Sequence, residues 1–259
     1  MNQIQTSTSK VLITGAKGFI GTNLRNLYPD ADTLDIKDSQ DICGRLPDKP
    51  YTHIFHLAAR HHIPTCEVES EDCLTVNCWG TLNLLKTYPN ARIVIATSSS
   101  GNEVKSVYGA SKLCVEVLAK LHKNCLCVRL YNVFGEHQRL EGGAVTPKLI
   151  NSYLRNLPLT INGDGTQARD FTYVGDVVEN LRLLMDSEQT GLTHLGYGET
   201  IMLNQYIELI YGSIPEVNYT EHKAIDILRS ESPIRCRQFY GRKKGMEKTI
   251  AWFKEAYNI

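Results

Sequence analysis

The sequence predicts an α/β fold in which a doubly wound parallel sheet, with helices on both faces, is followed by a small, abbreviated C-terminal lobe. Three observations predict it. Short β-rich runs alternate with amphipathic helical stretches through the first half of the chain. Runs such as RIVIA, residues 92–96, are almost entirely apolar, as strands covered on both faces are. The length of 259 residues suits one large α/β domain, or a core with a smaller appendage.

Taken in order, strands are expected at residues 10–14, 32–35, 52–57, 92–97 and 126–130. Helical periodicity falls between them at 19–27, 71–88 and 107–122. After about residue 135 the rhythm changes. EGGAVTPKL and INGDGTQARD are Gly-rich and polar, and a helix is expected between them at 147–155. A helix at 174–185, a short strand at 194–195, and helices at 203–211 and 246–256 complete the chain. On this reading residues 10–140 form the core, its sheet completed by about 171–196, and residues 141–170 and 197–259 form the lobe. No internal repeat or low-complexity tract is present.

Composition narrows the setting. Apolar residues make up 42% and charged residues 22%, ordinary for a chain with a sizeable core. Basic and acidic residues balance at 28 each, so no global field draws the protein to nucleic acid or an anionic membrane. The first nine residues are polar, without the apolar stretch of a signal peptide. No run approaches the roughly 20 apolar residues of a membrane span. Eight cysteines form no CxxC pair and no zinc-like spacing. A reduced, metal-free, cytoplasmic protein is the expectation.

The first strand runs into TGAKGFIG, which places Gly15, Gly18 and Gly21 at a strand-to-helix turn with Phe19 and Ile20 opening the helix. Glycine there permits the tight turn, close approach of backbone to a pyrophosphate, and close packing of helix on sheet. The helix start offers free N–H groups to phosphates. This is the Rossmann dinucleotide arrangement. Asp35, twenty residues after Gly15 and followed by Ile36, can accept both adenosine ribose hydroxyls and repel a 2′-phosphate. Lys37 lies nearby as a possible phosphate partner, but Asp35 favours NAD over NADP. Leu57, Ala58 and Ala59 end the third strand beside the expected cofactor cleft.

Tyr108 and Lys112 form a YxxxK pair whose i, i+4 spacing puts both on one helix face. A phenol with its ordinary pKa of about 10 is a poor base at neutral pH. A neighbouring ammonium and the nicotinamide charge are expected to bring it nearer to 7. Thr97, Ser98, Ser99 and Ser100 follow the fourth strand, where ligands bind in such sheets. Strand register favours Ser98 as the hydroxyl that shares the proton with Tyr108, with Ser99 second.

Together TGAKGFIG, HLAA, VNCWGT, the serine cluster, YGASK, RLYNVFG and GDGTQARDFTYV resemble the nucleotide-sugar epimerase/dehydratase family of extended short-chain dehydrogenase/reductases, UDP-glucose 4-epimerases among them. The resemblance runs from about Val11 to the C-terminal helix. It implies that Asp41 and Ile42 meet the adenine, and that Asn77 supports the Lys112 helix and cofactor site. Leu130 and Val133 would lie near the nicotinamide. Asn132 and Arg169 would grip a sugar diphosphate, a guanidinium task, with Val145 among the substrate contacts. Asp226 would hold the nucleoside ribose, and Lys223 replaces a family arginine. A homodimer paired through the Asn77 and Lys112 helices is also implied. The chain departs from the family in short segments between Asp35 and Asp41 and before Tyr108, and in its abbreviated lobe.

The implied activity is NAD-dependent 4-epimerisation of a nucleotide sugar. A 4,6-dehydratase would carry an Asp-Glu pair where this chain has Ser99 and Ser100, and a decarboxylase a nearby Glu, for which Glu103 is displaced. A 4-keto reductase would prefer NADPH, against Asp35. A non-catalytic NAD-binding regulator on the same fold is the alternative from another class.

Overall fold

A computed structural model describes residues 10–221 and 228–259. The chain begins with β1 (Val11–Thr14), α1 (Phe19–Arg25), β2 (Asp32–Leu34) and β3 (His53–His56). Two short helices, α2 (Ile63–Val68) and α3 (Ser70–Leu74), lead through a π-helical turn at Thr75–Trp79 into α4 (Gly80–Thr87). β4 (Arg92–Ser98), α5 (Val107–Ala119), β5 (Cys125–Leu130) and β6 (Asn132–Phe134) follow. The second half holds α6 (Val145–Arg155), β7 (Leu159–Asn162), β8 (Ala168–Arg169), β9 (Phe171–Tyr173), α7 (Val174–Met185) and β10 (Gly191–Leu195). It ends with β11 (Ile201–Met202), α8 (Leu203–Tyr211), β12 (Val217–Thr220), β13 (Arg229–Ser230) and α9 (Gly241–Tyr257).

The central sheet has six strands, all parallel, in the order β10-β5-β4-β3-β1-β2. Neighbouring residues of one strand serve opposite faces, because side chains alternate. Ile13, Phe55 and Val94 enter one core cluster, and Leu12, Ile54 and Ile93 the other. Cys125 and Cys127 are buried in the second cluster as small hydrophobes. The winding reverses between β1 and β3, the switch point where such sheets open a ligand crevice. Only β2 lies outside β1, where the usual dinucleotide order has two strands. A single 3-10 turn at Ile36–Asp38 stands in the short segment after Asp35.

The single helix expected at 71–88 is divided by the π-helical turn. Asn77 sits within that turn, and its amide bonds Arg60 and Ser111 on neighbouring elements. A wide turn of this kind commonly marks a functional site.

Two buried carboxylates tie separate segments of the second half together. Asp176, at the start of α7, accepts the amides of Phe239 at 2.7 Å, Tyr240 at 2.8 Å and Gly241 at 3.0 Å. These groups lead directly into α9. Asp170 accepts the amides of Tyr197 at 2.7 Å, Gly198 at 2.9 Å and Ser232 at 3.2 Å, and the Thr172 hydroxyl at 3.0 Å. Lys223 and Asp226 lie outside the described residues.

Candidate active site

The glycine turn has the shape a pyrophosphate requires. Gly15 has φ +68°, and a Cβ there would stand 2.6 Å from the Ala58 amide nitrogen. A Cβ on Gly21 would stand 2.2 Å from the Gly15 carbonyl oxygen. No side chain caps α1, whose N-cap is Gly18. Phe19 and Ile20 open it half-buried, with the ends of β1 and β3 beside them. Leu57 follows β3 with its amide on the Thr14 carbonyl, and the Ala58 amide reaches the Thr14 hydroxyl at 3.3 Å. Ala59 is also half-buried here.

Asp35 directly follows β2 at the mouth of this turn. One carboxylate oxygen accepts the Lys17 amide at 2.7 Å and the other the Lys37 amide at 3.0 Å. The carboxylate therefore sets the position of the glycine turn as well as offering its remaining lone pairs to a ribose. The Lys37 ammonium donates to the Lys17 carbonyl at 2.8 Å, tied back from the role of phosphate receptor. Ile36 is exposed beside it, and Asp41 accepts the Cys43 amide at 2.9 Å. The Ile42 side chain is in the core, and its carbonyl accepts the Asn83 side-chain amide at 2.8 Å.

The catalytic candidates meet at the C-terminal ends of β4 and β3. Ser106 caps α5 by accepting the Gly109 amide at 3.0 Å, and Glu67 accepts the Val107 amide at 2.7 Å. Tyr108 is thereby held in the first turn, half-buried, with Lys112 one turn on and buried. The Lys112 ammonium donates to the Ala96 carbonyl at 3.0 Å and lies 5.9 Å from the Tyr108 ring centroid. Ser98 faces the Tyr108 phenol and lowers its pKa. Strand register thus brings Ser98 to the phenol, while Ser99 opens the 3-10 turn beyond.

The expected depression of the phenol pKa is not present in the protein alone. Burial pushes Tyr108 up to about 12, against the smaller lowering by Ser98. Burial likewise takes Lys112 down to about 8. For both groups removal from water outweighs what their neighbours supply.

Thr97 and Asn77 are both bonded within the protein. Thr97 is buried, and its hydroxyl donates to Glu116 at 3.0 Å, since alternation along β4 turns it away from Ser98. Asn77 is buried and its amide is spent inside the protein. It accepts the Arg60 amide at 2.8 Å and donates to the Arg60 carbonyl at 3.0 Å and the Ser111 hydroxyl at 2.8 Å. It ties the segment after β3 to α5.

A buried ion pair missed by sequence reasoning lies behind these groups. Arg129 of β5 binds Glu116 of α5 through two bonds, at 2.7 and 2.6 Å, and also bonds Asn102 in the loop after the serines. Glu116 follows Lys112 by four residues, and Arg129 is the one charge in CLCVRL. Those were the available signals.

On the sugar side, Asn132 pairs with Phe171 across β6 and β9, and its amide donates to the Asp170 carbonyl at 3.0 Å. This brings Asn132 close to Arg169, half-buried in β8 with a guanidinium bond to the Ala168 carbonyl at 3.0 Å. Val133 is half-buried in β6, Leu130 is buried, and Val145 begins α6. Glu103 is exposed and paired with Lys105 at 2.8 Å.

The glycine cradle and the carboxylate after β2 fit a dinucleotide, and the Ser98, Tyr108 and Lys112 set stands at the adjacent strand ends. Comparison with known proteins gives the family. A Methanocaldococcus jannaschii protein provisionally named as a UDP-glucose 4-epimerase is 26% identical over 303 aligned positions, covering 94% of this chain and 98% of the relative. The alignment is longer than the chain, so the relative carries stretches this chain lacks. A Bacillus cytotoxicus UDP-N-acetyl-α-D-glucosaminuronate decarboxylase is 24% identical and is covered to 99%, with 96% of this chain. The Thermus thermophilus UDP-glucose 4-epimerase, solved with NAD, superposes with TM-score 0.80 at 25% identity, covering 96% of this chain and 100% of that one. The model of the NAD-dependent epimerase/dehydratase family matches residues 11–195, and the chain belongs to that family.

Proposed function

We propose that the chain is an NAD-dependent nucleotide-sugar 4-epimerase acting through a transient 4-keto sugar. The observation that carries this reading is the composition of the reaction centre. A serine hydroxyl, a phenol and an ammonium converge, while the nearby Glu67 carboxylate is held on the Val107 amide at 2.7 Å. A dehydratase needs a carboxylate to take a proton from sugar C5, and an unactivated serine is a very weak base. Glu103, the nearest substitute in sequence, is committed to Lys105 at the surface.

In this reading Ser98 binds the 4-hydroxyl and passes its proton to Tyr108, which acts as base and later as acid. When held at the glycine turn and Asp35, NAD would supply reversible hydride chemistry at C4, which lets hydride return to the other face of the keto sugar. Lys112 holds the nicotinamide ribose, and its charge supports the phenolate once ligands fill the cleft. Asn77 and the Glu116–Arg129 pair keep α5 in register with β4, so that geometry is set before substrate arrives. Asn132 and Arg169, with Val145 beside them, receive the substrate diphosphate, and residues 141–170 and 197–259 serve as the substrate lobe. The screen that tests this is to denature the purified protein, identify the released cofactor, and analyse products from UDP-, dTDP-, GDP- and CDP-sugars. Inversion at C4 is expected.

Asp35→Ala is expected to weaken NAD by about 1.5–3 kcal/mol, roughly ten- to hundredfold, and to narrow discrimination against NADP. Titration calorimetry measures both. Tighter binding of NADP than NAD by the unaltered protein would refute the cofactor assignment.

A homodimer and a cytoplasmic location belong to the same proposal. Leu113 and Val117 on α5, Leu121 just beyond it, and Leu74 and Trp79 are all exposed apolar side chains. All eight cysteines are free thiols, and no helix of the described residues is long and apolar enough to cross a membrane. Light scattering should give about twice the 29.1 kDa chain mass, falling to one chain for Val117→Asp. A wild-type monomer at micromolar concentration would remove the dimer from the account.

A further inference from the structure

The turn that follows β4 carries the serines, and contacts on both of its sides fix where it lies. Ser98 accepts the Ser100 amide at 3.1 Å and shares a hydrogen bond with the Ser100 hydroxyl at 3.2 Å, so its side chain is tied to the turn beyond it. On one side the turn lies against the start of α5, where a Cβ on Gly109 would stand 2.7 Å from the Ser100 carbonyl oxygen. On the other it lies against the buried ion pair. A Cβ on Gly101 would stand 3.7 Å from a guanidinium nitrogen of Arg129 and 3.8 Å from a carboxylate oxygen of Glu116. Asn102 ends the turn, with its side-chain carbonyl on the Arg129 guanidinium and its side-chain amide 3.4 Å from the Tyr131 hydroxyl. That hydroxyl is bonded in turn to the His194 ring of the edge strand β10 at 3.0 Å.

Arg129 is therefore shared between two tasks. Two of its nitrogens donate to Glu116, one turn beyond Lys112 on α5, and the third donates to Asn102. A planar guanidinium can address a carboxylate with two nitrogens and still donate from the third. Holding α5 to β5 would need only the first two. The third bond reaches an exposed residue outside any helix or strand, where a single contact adds little to stability. What it does fix is the far end of the turn whose near end is Ser98.

We propose that Asn102 and Arg129 are positioning residues for the reaction, a clamp on the serine turn that sets the Ser98 hydroxyl against the Tyr108 phenol in one geometry. The proposal rests on the reading above, in which Ser98 shares its proton with Tyr108. Both residues act through Ser98. A hydroxyl moved by about 1 Å loses most of its bond to the phenolate. The phenol, which burial already makes hard to ionise, then becomes harder still. The other groups that face Tyr108 are Lys112 on its own helix and the thiols of Cys66 on α2 and Cys73 on α3, with the Glu67 carboxylate held on the Val107 amide. A change at Asn102 leaves all of these in place.

The test is Asn102→Ala, with Asn102→Asp as its conservative counterpart, read by the pH profile of kcat. Weakening one hydrogen bond to the phenolate should lower kcat at neutral pH about three- to tenfold and move the ascending limb up by about half to one pH unit, with KM for the nucleotide sugar unchanged. Asn102→Asp keeps an acceptor for Arg129 and should restore both. The melting temperature should match wild type in either variant, since Asn102 is exposed. Arg129→Lys keeps a charge beside Glu116 without the fork that reaches Asn102, and should move the limb in the same direction. In a Ser98→Ala background, Asn102→Ala should cost less than about twofold more, because the clamp has no hydroxyl left to place. An equal cost in both backgrounds overturns the proposal, as does a fall in kcat at every pH with the limb unmoved. The clamp is also read without turnover. In NAD-loaded protein labelled with ¹³C-tyrosine, the Tyr108 Cζ resonance, identified by its loss in Tyr108→Phe, should move in Asn102→Ala in the sense that it moves in Ser98→Ala. If no nucleotide sugar is inverted at C4 and that resonance moves, the clamp stands and the 4-epimerase reading falls. Inversion at C4 with the resonance unmoved does the reverse.

Discussion

Tyr108→Phe should lower kcat by about 10²–10⁴-fold, the usual scale of general acid–base assistance, with NAD binding unchanged. The substitution keeps the half-buried ring and deletes the group that faces Ser98. Single-turnover kinetics on NAD-loaded protein separate the chemical step from binding. Near-normal turnover would move the base elsewhere. Ser98→Ala should cost less than Tyr108→Phe and more than Ser99→Ala, since Ser98 is the hydroxyl that acts on the phenol. A larger loss at Ser99 would shift the shared proton by one residue. Because burial alone puts the phenol at about 12, the working base depends on the positive charge that the cofactor brings to the cleft.

The second large effect is on stability. Asp176→Ala removes the acceptor of three amides from a fully buried position. Each stranded amide costs about 1–3 kcal/mol, so a loss on the order of 3–5 kcal/mol is expected even if the segment partly relaxes. Against a typical total of about 5–15 kcal/mol, that is a serious deficit. Thermal melting should fall by roughly 10 °C, and amide exchange should rise first in α9. The buried Phe253 on that helix reports whether it has come loose. A variant within about 1 kcal/mol of wild type would mean that α9 is held by apolar packing alone.

What was legible in the sequence follows from how local each requirement is. The glycine turn was legible because backbone clashes at Gly15 and Gly21 arise between neighbours a few residues apart or at the next strand. Tyr108 and Lys112 were legible from helical spacing, and Ser98 from strand alternation. Features that depend on distant partners were not. The π-helical turn at Asn77 takes its logic from Arg60 and Ser111, and Thr97 turned inward because Glu116 and Arg129 meet behind it. Asp170 and Asp176 collect amides from 27 to 65 residues downstream, a relation no local pattern records. The short segment after Asp35 was visible as a departure, but its consequence, a sheet with one strand outside β1, required the topology.

The central claim is inversion at C4 by return of hydride, and the product formed in deuterated water tests it most directly. For an unlabelled nucleotide sugar turned over in D₂O, the account predicts a product inverted at C4 and of unchanged mass. That product should carry protium at both C4 and C5, since hydride taken from C4 returns to C4 and inversion there requires no proton transfer at C5. A product lighter by one water with deuterium at C5, or lighter by carbon dioxide, would contradict it.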